Sequence, residues 1–134
     1  MRFHSDTENA PGTGGTTAMT LDGSSNLLVT GEVTAYSDAR IKDNIEVIAD
    51  PLTKILSIRG VTFTRTDQED TERKHMGVIA QEVEQYFPEV VHTNDDGMNT
   101  VNYGAMAGAF IEAFKAQQRQ IDDLTDLVKK LLDK

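Results

Sequence analysis

The chain has 134 residues, with 22 acidic and 13 basic side chains, a net charge of −9 and no Cys. That length supplies one modest domain. The charge opposes sequence-independent binding to a phosphate backbone, and the lack of Cys excludes a disulfide framework and thiolate chemistry. The acid is spread along the chain, since residues 1–36 hold only four acids against one Arg, and such repulsion favours solubility. His4, His75 and His92 are too scattered to read as a metal site. No metal or cofactor is expected. No apolar run approaches the roughly 18 residues that a membrane span needs, and no signal-peptide h-region opens the chain. Nucleic acid and membrane are therefore not expected partners.

Residues 1–17 are polar and rich in Gly and Thr. They bury too little apolar surface to offset chain entropy, which predicts a loose linker or a fragment of something larger. Residues 18–36 read as short strands: Met19 and Leu21, a turn at Asp22-Gly23-Ser24-Ser25, then Leu27, Val29 and Val33. Two or three such strands are not stable alone. They are expected to pair with other chains, to continue an upstream β structure, or to pack as a hairpin on the domain that follows.

Residues 37–102 read as a compact mixed α/β unit. Asp50-Pro51 suits a helix start, with Asp as cap and Pro in the first turn. That helix would run through Leu52, Ile55 and Leu56 to a stop at Gly60. A strand at Val61–Arg65, a charged solvated loop at Asp67–Lys74 and a strand at Met76–Ile79 predict a hairpin. His75 and His92 are read as strand residues. Ala80–Phe87 should be a short helix closed by Pro88, with Val83, Tyr86 and Phe87 facing inward. Glu82 is expected to hydrogen-bond around the domain, and Tyr103 to anchor the start of the next helix. A last hairpin joins Glu89–His92 to Asn99–Val101 through the turn Asn94-Asp95-Asp96-Gly97.

Residues 103–134 carry the clearest periodicity. Ala107, Phe114, Ile121 and Val128 recur every seven residues, and Phe110, Gln117, Leu124 and Leu131 fill the other seam position. The one polar interruption is Gln117. A helix of about 30 residues, roughly 45 Å long, exceeds what the preceding unit can cover. Its C-terminal half is therefore expected to pack on copies of itself, although these heptads leave dimer and trimer open.

No Gly-x-Ser-x-Gly elbow, phosphate loop or His-Glu-x-x-His motif is present. The informative segment is Ser37-Asp38-Ala39-Arg40-Ile41-Lys42-Asp43-Asn44-Ile45 at the junction of the first two zones. It resembles the opening signature of the peptidase S74, or intramolecular chaperone, domains of phage endosialidases, tailspikes, neck appendages and tail fibres. Gly60-Val61-Thr62-Phe63, Gly77–Val83, Phe87–Val91 and Val101-Asn102-Tyr103 follow in the same order and spacing. The resemblance covers residues 36–134.

The resemblance implies an α+β fold in a homotrimer. Residues 1–36 would end an upstream β-rich stem, residues 37–102 form the chaperone domain, and residues 103–134 the coiled-coil trimerisation helix. It implies autoproteolysis between Tyr36 and Ser37, a single-turnover serine endopeptidase with Ser37 as nucleophile and Lys42 as base. Asp38 and Arg40 would be supporting residues. The seam would be Ala107, Phe110, Phe114, Gln117, Ile121, Leu124, Val128 and Leu131. Its partners would be two further copies and the upstream stem of the same polypeptide, assembled in the host cytoplasm, with the domain released after cutting. Two other functions fit the same chain: a non-cleaving cap retained on the fibre, or a receptor-binding tip.

A serine hydroxyl needs an adjacent base, and a lysine serves only in its neutral form, which desolvation or neighbouring cations favour. Residues five apart in a continuous α-helix lie about 140° apart around the axis. Ser37 must then lie outside any helix holding Lys42, or the Lys must come from a neighbouring chain. In the bland reading, Ser37-Asp38 is a helix cap and Lys42 a solvated residue.

Overall fold

The computed structural model describes residues 2–4, 17–23 and 26–134, with backbone only for residues 2–4, 17 and 18. The chain divides into two units, Met1–Asn44 with Thr66–Thr71, and Ile45–Arg65 with Glu72–Lys134.

The first unit holds β1 (Arg2–His4), β2 (Thr17–Leu21) and β3 (Leu27–Val29), an antiparallel sheet in that order. The β2–β3 register sets Met19 opposite Val29 and Leu21 opposite Leu27. The Asp22 carboxylate fixes their turn by accepting from the Asn26 backbone N–H at 2.9 Å and from its side-chain amide. Ser24 and Ser25 of that turn lie outside the described residues. Within residues 1–17, expected to be a loose linker or a fragment of something larger, Arg2–His4 pairs with β2. Residues 5–16 of that linker are likewise outside the described residues. Val33 is not in a strand, since residues 32–38 run without regular structure.

In the second unit, α1 (Pro51–Leu56) starts at the expected Pro and stops before Gly60. Asp50 does not cap it by its side chain. Its backbone takes the left-handed conformation, φ 50°, which orients the chain entry instead. Strands β4 (Val61–Thr64) and β5 (Lys74–Gly77) form the first hairpin, with Val61 opposite Gly77 and Phe63 opposite His75. β5 begins two residues earlier than the alternation suggested, and Val78 and Ile79 lead into α2 (Ala80–Glu84). α2 is shorter than expected, yet its inward set holds: Val83 is fully buried, Phe87 nearly so and Tyr86 half-buried. Pro88–Val90 is a 3-10 turn, and β6 (Val91–Thr93) pairs with β7 (Asn99–Val101). The turn closes through a hydrogen bond from the Gly97 N–H to the Asn94 carbonyl at 2.9 Å, with Gly97 at φ +81°. A side chain resists that conformation.

Helix α3 (Ala107–Leu132) has 26 residues, about 39 Å. Its first turns belong to the core, where Met106, Ala109, Val83 and Phe87 cluster with Ile48, Ile55, Val78 and Val101 packed around them. Small side chains on this face let α1 lie against α3.

Two long-range contacts tie the unit together. Arg59, between α1 and β4, donates to the Glu82 carboxylate from its side chain and from its backbone N–H. The side-chain hydrogen bonds from Arg59 hold the Glu82 carboxyl below its ordinary range. The Tyr103 hydroxyl accepts from the Val78 N–H at 3.3 Å. A Cβ at Gly77 would run into that hydroxyl, so the residue there must be Gly for the ring to lie over the hairpin. Tyr103 anchors the approach to α3 through its hydroxyl, while its side chain stays half in solvent.

Candidate functional site

The segment Tyr36–Asn44 is exposed throughout. Its shape is set by hydrogen bonds between residues close in sequence. Ala39–Ile41 is one turn of 3-10 helix, with Asp38 extended before it, Lys42 extended after it, and Ser37 outside any regular element. The turn is closed by N–H donation from Ile41 to the Asp38 carbonyl and from Lys42 to the Ala39 carbonyl, 3.2 and 3.1 Å. A single tight turn brings its two flanks together, which a continuous α-helix would not do.

The result is a contact within one chain: Lys42 Nζ donates to Ser37 Oγ at 2.7 Å. Both sequence-identified residues therefore meet, and Ser37 lies outside the helical turn as the geometry required. Tyr36, on the other side of the Tyr36–Ser37 bond, is 97% exposed.

Asp38 and Arg40 meet each other. The Asp38 carboxylate caps the turn by accepting from the Arg40 backbone N–H at 2.9 Å. The same carboxylate takes a bidentate pair from the Arg40 guanidinium, Nε to Oδ1 at 3.0 Å and Nη2 to Oδ2 at 2.6 Å. Hydrogen bonds from Arg40 side chain and backbone push the Asp38 carboxyl below its ordinary range, and Asp38 raises the guanidinium. The next carboxylate, Asp43, is turned onto the Asn44 N–H at 2.8 Å. Asp38 and Arg40, expected as supporting residues, are thus paired with one another.

Helix α3 presents a second feature. On α3 the domain-facing positions are Met106, Ala109, Ala113 and Ala116. The heptad positions Phe110, Phe114, Ile121, Leu124, Val128 and Leu131 are all exposed, Phe114 by 70% and Leu124 by 62%. At about 100° per residue, this seam lies roughly 100° around the helix from the core face. The helix thus uses one side for its own domain and leaves another apolar. Ala107 and Gln117 lie on that open side as well.

Among the described residues, no group of His, Cys, Asp and Glu is placed to hold a metal, and no helix is long and apolar enough to cross a membrane.

Residues 37–92 match the family model of peptidase S74, described as chaperone of endosialidase. The matched segment begins at Ser37 and runs through the Ser37–Lys42 turn, the Arg59–Glu82 pair and the first hairpin. Residues 37–92 are thus similar to the chaperone domain that defines this family. The chain is also 28% identical over 110 residues to the long tail fiber protein Gp37 of Salmonella phage S16, covering 76% of this chain and 15% of that protein. The chain therefore spans only a small part of the relative's length.

Proposed function

We propose that this chain is the intramolecular chaperone of a phage tail fibre or tailspike, which trimerises through α3, registers an upstream β-rich stem, and then cuts itself once between Tyr36 and Ser37. The observation that carries the cleavage reading is the 2.7 Å approach of Lys42 Nζ to Ser37 Oγ beside an exposed peptide bond. The family description and the likeness to a tail fibre protein support the chaperone reading.

In the chemistry proposed, neutral Lys42 takes the Ser37 hydroxyl proton as Oγ bonds to the Tyr36 carbonyl carbon. The tetrahedral intermediate collapses by breaking the bond to the Ser37 nitrogen, which receives the proton from Lys42. The upstream chain is then an ester on Ser37 Oγ. Water, deprotonated by Lys42, attacks that ester, restoring the Ser37 hydroxyl and leaving a carboxylate on Tyr36. Each chain does this once, because its product is its own new N-terminus.

The exposed face of α3 supports self-association. Beside the seam, the flanking positions Ile111, Gln118, Thr125 and Leu132, with Gln120 and Leu127 on the other edge, carry no charge. Two-stranded coiled coils commonly place Glu and Lys there. An uncharged margin suits an assembly that buries more than a narrow stripe, consistent with three helices. Registering the stem matters because long intertwined β structures depend on non-local contacts and fold slowly. Removing the template afterwards would leave the fibre kinetically hard to unfold. Assembly would take place in the host cytoplasm, with residues 37–134 released.

The test is intact mass over time on freshly purified protein beside Ser37→Ala and Lys42→Ala, with native mass for assembly. Fragments 1–36 and 37–134 should accumulate in the wild type alone. An intact mass that persists in a trimeric wild type would remove the protease and leave a retained trimerising cap.

A further inference from the structure

We propose that Arg40 is a positioning residue for self-cleavage: by saturating the Asp38 carboxylate it leaves the Lys42 amine to Ser37. The inference rests on the cleavage reading above and concerns how its base is kept available.

A lysine acting as base in an exposed acidic segment faces competition from nearby carboxylates. Asp38 and Asp43 are its neighbours in sequence, and the whole chain carries excess acid. An ammonium held by a carboxylate is stabilised in its protonated form, and a bound amine is also drawn away from the hydroxyl it must serve. Both neighbouring carboxylates are occupied elsewhere. Asp43 accepts from the Asn44 N–H. Asp38 accepts three hydrogen bonds from Arg40, one from backbone and two from the guanidinium. Asp38 and Lys42 flank the same 3-10 turn as its N-cap and C-cap, which makes the Asp38 carboxylate the competitor for the amine if Arg40 let go.

The guanidinium suits this task. It is planar, permanently charged and matches both carboxylate oxygens at once, which an ammonium does not. Arg40 therefore outcompetes Lys42 for Asp38. The pair is exposed, 89% at Arg40 and 42% at Asp38. Exposed pairs contribute little to stability, so its contribution is to geometry rather than to folding. This makes variants here readable without loss of the domain.

The experiment follows cleavage rates by intact mass in the full chain for wild type, Arg40→Ala, Asp38→Asn and the double variant, with circular dichroism and native mass as controls. Arg40→Ala frees the Asp38 carboxylate to hold the Lys42 amine away from the Ser37 hydroxyl, so cutting should slow by about tenfold or more, part of what a positioned base contributes. Asp38→Asn keeps an acceptor for the cap but has no charge with which to capture Lys42. It should cut within about threefold of wild type, the small effect expected of an exposed substitution that keeps the cap. The decisive outcome is the double variant, which should recover the rate of Asp38→Asn, because removing the carboxylate removes what Arg40 guards against. A merely structural role for Arg40 predicts no such rescue. Arg40→Ala cutting at the wild-type rate, or a double variant as slow as Arg40→Ala, overturns the inference while leaving the cleavage reading intact. A wild type that never cuts overturns both.

Discussion

Tyr36–Asn44 and the core beneath α2 are built on opposite principles. In the first, every side chain is exposed and the decisive contacts span two to five residues: Asp38 to Arg40, and Ser37 to Lys42. In the second, Val83, Phe87, Met106 and Ala109 are buried, and the polar anchors reach 23 residues from Arg59 to Glu82 and 25 from Val78 to Tyr103. Tyr36–Asn44 can therefore be altered without cost to the fold, and the fold can be loosened without touching Ser37 or Lys42. The difference separates a segment shaped by local hydrogen bonds from a core shaped by contacts between residues far apart in sequence.

The sharpest break of that symmetry is in the reactive segment. Ser37→Ala should slow self-cleavage by at least roughly a thousandfold, the scale of losing a nucleophile. Its thermal midpoint should match that of Lys42→Ala, because exposed substitutions of this kind stay within about 0.5 kcal/mol. A variant that stops cutting and also melts early would show that the segment is part of the core after all.

The converse experiment is Phe87→Ala. Removing that nearly buried ring should cost about 3–5 kcal/mol in urea unfolding, and the Lys54 ammonium over its face, 5.7 Å from the centroid, would lose its partner. An unchanged midpoint would mean that the cluster around Val83 does not hold the domain.

The open side of α3 is a third region, independent of both. Leu124→Asp places a charge in the seam and should convert the native assembly to monomer, with the domain's spectrum retained, since residue 124 is exposed in the single chain. A polar seam residue sets register and strand number at a cost in stability. Gln117→Leu should accordingly raise the thermal midpoint of the assembly while broadening its native mass distribution.

Gly77→Ala is a smaller probe. A methyl there meets the Tyr103 hydroxyl, and overpacking of this kind costs about 1–3 kcal/mol. Tyr103→Phe removes the hydroxyl and should make the Gly77→Ala penalty smaller in a double-mutant cycle.

The smallest expected effect is with acid. The Glu82 carboxyl is depressed below its ordinary 4.5 by hydrogen bonds from Arg59. A group held low in the folded state adds stability that is present above its unfolded value and lost as pH falls through the folded one. Stability should thus decline modestly below about pH 4.5, and Glu82→Gln should flatten that decline. Asp38 behaves with the same sign, lowered from 3.8 by Arg40.

Much of this molecule was decided by local pattern. The seven-residue spacing from Ala107 to Val128, the Pro51 start of α1, the inward set Val83, Tyr86 and Phe87, and the turn closed by Gly97 all depend on residues within a few positions of one another. Ser37 and Lys42 were singled out by the resemblance of their segment to a family signature, and helix geometry then required Ser37 outside a helix holding Lys42 or a Lys from another chain. Tertiary structure decided the rest. β5 starts at Lys74 because Val61 must face Gly77, where Tyr103 needs room. Arg2–His4, unreadable as a strand by composition, pairs because β2 offers an open edge. Glu82 found Arg59, and α3 divided its apolar residues between its own domain and a face left open, because side chains distant in sequence came within reach only on folding. Alternation and spacing report on the nearest few residues, and contacts across more than twenty lie beyond what such periods encode.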